Sequence, residues 1–428
     1  MSKRFDALVI GGGVAGSTAA ILLAAAGWSV ALVEKRAFPR RKVCGECIAA
    51  PNLALLDALG VGDEFRALAG PPLMRVGVYA GDDELYADLP RLSGVAPWGR
   101  ALGRERLDTL LLARAAELGA TVYQPWSVVD VERRDGAHAC TLATNRAGES
   151  ATVAATVLID AHGSWEPSPF VGMRARAESG AADLFAFKAN FLRADLSPGL
   201  LPVLAFDGGY GGMVLGDGGQ LTIACCVRRD ALRGSRSAVR GDSAGTAVEA
   251  LLRRSCAGVR RALDGAERAG PWLSVGPIRP GRRALWSERG GFTVGNAAGE
   301  AHPILGEGIS MAMQGAFLLC ARLDEQRDAL LSGARQDGTA RLYGRDWRRA
   351  FGARIRWAAL FAALAMRPAA RALLPALKAW PALLTAGAIA GGKVCPAPVA
   401  SLTTGAGPRG RSARGSHAKV ASAPAVQR

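Results

Sequence analysis

Phe5-Asp-Ala-Leu-Val-Ile-Gly-Gly-Gly-Val-Ala-Gly16, continued by Ser17 to Ala26, Gly27 and Ser29-Val-Ala-Leu-Val-Glu34, decides how the chain is read. Ala7 to Ile10 is a short unbroken apolar run, the pattern of a strand buried on both faces of a parallel sheet. Gly11, Gly13 and Gly16 follow at GxGxxG spacing. The small residues after them predict a closely packed helix stopped at Gly27. Ser29 to Val33 is a second apolar strand with Glu34 at its end. The spacing therefore predicts a β-α-β unit that binds a dinucleotide. Gly11 permits the tight turn, Gly13 lets the backbone approach a pyrophosphate, and Gly16 lets the helix lie against the strand. Val14 and Ala15, within the glycine motif, join the cofactor-binding candidates, and the N-terminus of the helix faces the phosphates. Glu34 accepts hydrogen bonds from a ribose diol, and Lys35 beside it joins the cofactor-binding candidates.

Working outward, 428 residues are enough for two or three structural units, and a half-hydrophobic composition marks a globular chain. No run of 18 apolar residues free of charge occurs, so no membrane span is expected. Lys3, Arg4 and the apolar residues up to Ala26 have the outline of a signal peptide. Asp6 and the glycine triplet break that outline, and the nucleotide unit explains the same residues, so the reading is a cytoplasmic protein. Eight scattered cysteines form no secreted framework. Cys44-Gly-Glu-Cys47 has no second pair with which to hold zinc. It reads either as a redox dithiol or, more simply, as a turn with two buried thiols. The net charge of +16 is uneven: no Asp or Glu follows Asp346, whereas thirteen Lys or Arg do. The basic character belongs to a C-terminal appendage rather than to the body.

After Glu34 a basic loop runs to Glu46, in which Arg41 or Lys42 is placed to reach a pyrophosphate. Asn52 to Leu59 predicts a short helix. Met74 to Tyr79 and Glu84 to Leu89 predict a hairpin turning at Gly81-Asp82. Gly103 to Gly119 predicts an amphipathic helix burying Leu107, Leu110, Leu111 and Leu118. Thr156 to Asp160 is another buried strand, followed by Ala161-His162-Gly163. Residues 183 to 227 read as strands and glycine turns. Gly291 to Gln314 reads as a strand, a polar turn at Gly295-Asn296, a loop Pro303-Ile-Leu-Gly-Glu-Gly308, and a helix from Ile309 to about Leu323. A glycine loop at a helix N-terminus suits an anion. Residues 341 to 392 are helical, basic and apolar; from Ala400 the composition predicts disorder.

Four of these stretches, in order, resemble the single-domain FAD-dependent oxidoreductases that include aromatic hydroxylases, geranylgeranyl reductases and flavin-dependent halogenases. They are Gly11-x-Gly13-x-x-Gly16 with Glu34, Lys42-Val-Cys-Gly-Glu46, Arg104-x-x-Leu-Asp108, and Gly295-Asn296-Ala-Ala-Gly through Pro303-x-x-Gly306-x-Gly308. The resemblance implies an α/β fold: a Rossmann-like FAD-binding domain of the glutathione-reductase type, an inserted β-rich substrate layer and a C-terminal helical segment. The implied division is residues 1–72, 100–175 and 281–330 for the FAD-binding parts, and 73–99 with 176–280 for the substrate layer. Residues 331–398 form the helical segment and 399–428 a disordered basic tail. By position, Gly11, Gly13, Gly16 and Glu34 would hold the ADP half of FAD, and Arg104 would reach the ribityl and pyrophosphate region. Asn296 stands where the family usually has Asp and would bond a ribityl hydroxyl. Pro303, Gly306, Gly308 and Ile309 would lie at the pyrimidine edge of the flavin. The family's Ala-Asp-Gly segment is here Ala161-His162-Gly163, and Gly208-Gly-Tyr-Gly-Gly-Met-Val-Leu215 replaces aromatic-rich motifs of the halogenases and geranylgeranyl reductases.

His302 is the candidate acid or base, with His162, Glu300 and Glu307 as weaker ones. The activity implied is monooxygenation of an aromatic or lipid-like small molecule, with electrons from NAD(P)H or a separate reductase. Two alternatives stay open: reduction of C=C bonds, as in geranylgeranyl reductases, and a non-catalytic flavin-binding partner at a membrane surface. No nucleic acid or metal is expected. Residues 341–392 either cap the pocket or bring the protein to an anionic membrane, because Trp357 and Trp380 lie among apolar and basic residues too interrupted to span a bilayer.

Overall fold

The computed structural model describes residues 3–92, 97–134, 136–146, 148–164, 180–238, 243–287 and 289–393. The tail from residue 399, expected to be disordered, lies outside them.

The opening motif folds as its spacing predicts. Strand Lys3–Ile10 is followed by helix Val14–Ala25 and strand Val30–Val33. The strand pairs in parallel with Val30–Val33 on one side and with Ser150–Asp160 on the other. Thr121–Tyr123 extends the sheet beyond Val30–Val33. The long strand Ser150–Asp160 serves two partners along its other edge. Its first half pairs antiparallel with Ala137–Ala143, which leads to Ser127–Arg134; its last two residues pair in parallel with Phe292–Thr293. Helix Val14–Ala25 packs between Arg104–Glu117 and Gly308–Glu325. It can approach both because its inner surface is Ala15, Ala19, Ala20 and Gly16, all buried.

The second sheet is mostly antiparallel. Its strands run in the order Glu267–Arg268, Leu184–Leu192, Leu221–Arg228, Gly209–Leu215, Leu200–Phe206, Arg75–Ala80, Asp83–Asp88, and Leu273–Ile278 also pairs with Leu184–Leu192. Alternation gives it two faces. Phe187, Met213, Ile223 and Val227 point outward, where helices Ala244–Ser255 and Ala257–Ala262 bury Val248, Leu252 and Val259 against them. The sequence reading assigns no helix here. The opposite face looks toward the first sheet.

The C-terminal segment is helical: Asp337–Ala365, a 3-10 stretch Pro368–Leu373, then Leu374–Ala379 and Ala382–Ala390. Tyr343, Trp347, Phe351 and Ala358 enter the core of the nucleotide unit. Further along, Ala362 meets Tyr210, Cys226 and Ile278, while Leu384 and Ala388 pack with Leu73, Val76 and Val214. The segment thus lies across the second sheet as a cap. No described helix is long and apolar enough to cross a membrane.

Candidate functional site

The register of the first sheet brings three loops together. Ile10 pairs with Asp160, and Asp160 with Thr293, so the carboxyl ends of three strands lie side by side. Gly11–Gly13, Ala161–Gly163 and Gly295–Asn296 leave from those ends, at the edge where open α/β sheets bind ligands. Gly13, Ala161, Gly163, Gly295 and Asn296 all line one cavity. Its opposite wall is the inner face of the second sheet, with Val203, Tyr210, Gly212, Val214, Ala224 and Cys226.

The three glycines divide their work. Gly11 has φ +99°, a left-handed conformation that favours glycine, and a Cβ there would lie 2.6 Å from the carbonyl oxygen of Ala161. A Cβ on Gly16 would lie 1.9 Å from the carbonyl oxygen of Gly11. Gly13 differs: its φ is an ordinary −73°, and a Cβ would meet only Nη2 of Arg104, at 3.6 Å. It borders the open cavity. Glu34 is buried, and its carboxylate accepts from Gly12 N (2.8 Å) and Arg36 N (2.8 Å), with Arg40 at 3.6 Å. It stands directly behind the glycine loop.

Two helix N-termini open onto the cavity. Neither Val14–Ala25 nor Gly308–Glu325 has a side-chain cap. Their first turns, Val14 and Ala15 on one and Gly308 and Ile309 on the other, line it. Uncapped N–H groups and the positive ends of both dipoles therefore face the same space. Arg104 adds a fixed charge. Its guanidinium is held by Asp108 through Nε and Nη2, each at 2.8 Å. A long anionic cofactor with a diphosphate fits this donor set, and the loop Pro303–Gly308 gives its planar end a place at the second helix.

The remaining candidates are distributed as follows. Pro303 and Gly306 line the cavity, as does Asn296, whose Nδ2 donates to Ser164 Oγ at 2.7 Å. Lys35 is not among the lining residues. Arg41 turns away to the second sheet, where Nη2 donates to Asn190 Oδ1 at 2.7 Å. Glu300 lines the cavity, and burial holds its carboxyl above the usual range, opposed by Arg283 at 3.3 Å. Glu307 is buried between Lys393 (2.9 Å) and Arg354 (3.7 Å). His162 Nδ1 lies 2.5 Å from Asp160 Oδ1. His302 sits one layer back: its Nδ1 is 3.2 Å from Tyr210 Oη, and burial lowers its pKa. Cys44 and Cys47 are both free thiols.

Two features escape the sequence reading. Tyr210 is buried on the cavity wall, and its hydroxyl reaches His302. Lys188, in the apolar run Leu184–Leu192, is buried and ion-paired to Glu46. Glu46 also accepts from Thr222 Oγ1 (2.6 Å) and Arg104 N (3.0 Å) and has φ +61°. A lysine inside a strand whose other residues, apart from Asn190, are apolar is the available signal, since such a group is buried only when paired.

Lys42 carries a pH prediction. It lines the cavity, and desolvation, aided by the Arg104 charge, pulls its pKa from 10.5 down to about 8. The depressed value works against folding below about pH 8, an effect relieved as pH rises toward 10.5. An anion bound beside the amine restores its charge, so binding takes up a proton above about pH 8. FAD affinity measured by flavin fluorescence should weaken above that pH by up to about tenfold per unit, and Lys42→Met should flatten the profile. A flat wild-type profile would place Lys42 away from the bound anion.

Comparison with known proteins identifies the family. A family model described as FAD binding domain matches residues 4–355. Tryptophan 2-halogenase of Chondromyces crocatus is 34% identical over 160 residues, covering 36% of this chain and 30% of that protein. Menaquinone reductase of Mycolicibacterium smegmatis is 32% identical over 131 residues, 31% of each chain. The matched stretch thus spans about a third of each of these relatives. Among solved structures, a flavin-dependent brominase superposes with TM-score 0.72 at 20% identity, covering 92% of this chain and 94% of that one. A geranylgeranyl bacteriochlorophyll reductase-like protein of Thermoplasma acidophilum gives 0.68 at 17%, covering 94% and 96%. At these identities the likeness concerns the fold.

Proposed function

The chain belongs to the FAD-binding domain family, with FAD as its cofactor, and on that premise we propose that it is a monooxygenase acting on an aromatic or lipid-like small molecule. The observation that carries the reading is the cavity: a charged, uncapped cradle on one wall and an apolar sheet face on the other. At the centre of that face Gly212 pairs with Ala224 on one side and with Val203 on the other. Small side chains there leave room for a flat or extended apolar guest.

FAD, when bound, supplies the electron transfer and oxygen activation. The residues do the rest. Gly13, the two helix N-termini, Arg104 and Lys42 would hold the anionic half. Leu201, Val203, Val214 and Ile304 keep water from the reacting face. Tyr210 Oη can hold the hydroxyl of a phenolic guest, and His302, kept neutral by burial, can receive a proton through Tyr210. His302 acts through Tyr210 and is a positioning residue. One oxygen atom enters the substrate and the other leaves as water; the two electrons come from NAD(P)H or a separate reductase. C=C reduction is the second reading, favoured by the menaquinone reductase among the relatives.

Oxygen uptake by the reduced, FAD-loaded protein tests the proposal. A panel of phenols and prenylated quinones should contain a compound that accelerates uptake and gains one oxygen atom. Anaerobic saturation of a double bond would establish the second reading instead, and a product formed only with added halide would make the protein a halogenase. Gly212→Leu should retain FAD, because its Cβ finds Pro202 O no closer than 3.4 Å. It should lose at least about tenfold in kcat/KM, since its side chain displaces the guest.

A further inference from the structure

We propose that the outer face of the C-terminal cap docks the protein on an anionic lipid surface, from which the substrate reaches the cavity. The second half of this statement rests on the proposed apolar substrate; the docking itself does not.

The cap has two unlike faces. Its inner residues are consumed by packing, as described. Its outer face stays apolar where solvent would favour polar groups. Eleven large hydrophobic side chains are exposed among the described residues, and seven of them fall between Trp357 and Ile389. Trp357, Leu360 and Leu364 follow one another at helical spacing on Asp337–Ala365, and Trp357 stacks on Phe361. Trp380, at 65% exposure, and Leu383 stand at the junction of the last two helices, with Ile389 beyond. A cap that served only as a lid has no use for this second apolar face.

Charge decides between possible occupants. No Asp or Glu occurs between Trp347 and Lys393, whereas Arg348, Arg349, Arg356 and Arg367 are exposed. A second copy of this face would meet it cation to cation, which disfavours a symmetric dimer. An anionic bilayer complements it in both respects: exposed indoles suit the interfacial zone, and the arginines suit the headgroups. No described helix of the cap is both long and apolar enough to span, so the contact is peripheral. The location also fits delivery. Ala362, Ala365 and Met366, on the inner side of the same helix end, pack with Tyr210, Cys226 and Ile304, which line the cavity or lie beside it.

Co-sedimentation of the full-length FAD-loaded protein with vesicles tests this. Vesicles of phosphatidylglycerol and phosphatidylcholine should bind at least about tenfold more protein at low salt than vesicles of phosphatidylcholine alone. Trp357→Ser with Trp380→Ser should reduce binding about tenfold while flavin content and melting temperature stay unchanged. Protein left in the supernatant with anionic vesicles at low salt would overturn the proposal. So would undiminished binding by the double variant, which would assign the attraction to the basic tail. A dimer seen by ultracentrifugation and abolished in the double variant would give the face to a second copy. Turnover of detergent-dispersed substrate, measured separately, tells failure of docking from failure of the proposed chemistry.

Discussion

Gly13→Val is expected to give a folded, colourless protein. The backbone at Gly13 is compatible with valine, since φ is −73° and ψ −176°. The added carbons start from a Cβ that would meet only the end of the Arg104 side chain, so the apoprotein should melt as the wild type does. They would occupy the space in which the diphosphate approaches the first turn of Val14–Ala25. Loss of that approach, together with displacement of Arg104, should weaken FAD by at least about a thousandfold, roughly 4 kcal/mol. Gly16→Val should behave in the opposite way. Its Cβ would sit 1.9 Å from a backbone oxygen that cannot move without opening the strand–helix contact. That variant should lose about 1–3 kcal/mol or more of stability before any ligand is added. Melting curves with and without FAD, beside absorbance of the purified proteins, separate the two. Full flavin occupancy in Gly13→Val would mean that the cofactor enters elsewhere.

The contrast shows what kind of information the sequence holds. The division of labour among Gly11, Gly13 and Gly16 is legible because strand, turn and helix are contiguous, and each glycine answers to a neighbour within the unit. The Arg104-x-x-Leu-Asp108 pairing is legible for the same reason, being an i, i+4 contact on one helix. That Asp160 lies between Ile10 and Thr293 is not local. Residues 160 and 293 each end an apolar strand two or three positions before a glycine, and only the ordered set of motifs suggested that they share an edge. Helices Arg229–Ala238 and Ala244–Ser255 were within reach: Ser243 caps the second through Thr246 N, and Val248 and Leu252 stand four apart. Their Arg and Ser content makes them look like loop. The two faces of the C-terminal helices defied a sequence reading for another reason. Alanine-rich stretches carry a weak apolar stripe, so which side meets the body depends on what the body offers.

Lys188→Met is expected to be the most destabilising single change on the inner face of the substrate sheet. Lys188 and Glu46 are 142 positions apart, and neither belongs to a pattern that names the other. Both are almost fully buried. Removing the ammonium leaves the Glu46 carboxylate with Thr222 and the Arg104 backbone N–H as donors, but with no counter-charge at contact. Breaking a buried pair in this way costs about 3–5 kcal/mol, a large part of the roughly 5–15 kcal/mol that holds a domain together. Glu46→Gln alone should be comparably harmful, because it strands the ammonium. Combining the two changes removes both buried charges and should recover most of the loss; the double-mutant cycle then yields a coupling of several kcal/mol. The pair also joins two parts of the molecule: Glu46 belongs to the Cys44–Cys47 turn, which meets the N-terminus of Arg104's helix, and Lys188 to the sheet that floors the cavity. Glu46 keeps its left-handed conformation while its carboxylate is anchored by these partners. Releasing it should loosen the Cys44–Cys47 turn and Arg104 together, so FAD affinity should fall with stability in each single variant and return in the double one. Urea denaturation and flavin titration of the four proteins measure both. A Lys188→Met protein within about 0.5 kcal/mol of wild type, the range of ordinary surface changes, would show that the lysine is not buried against Glu46.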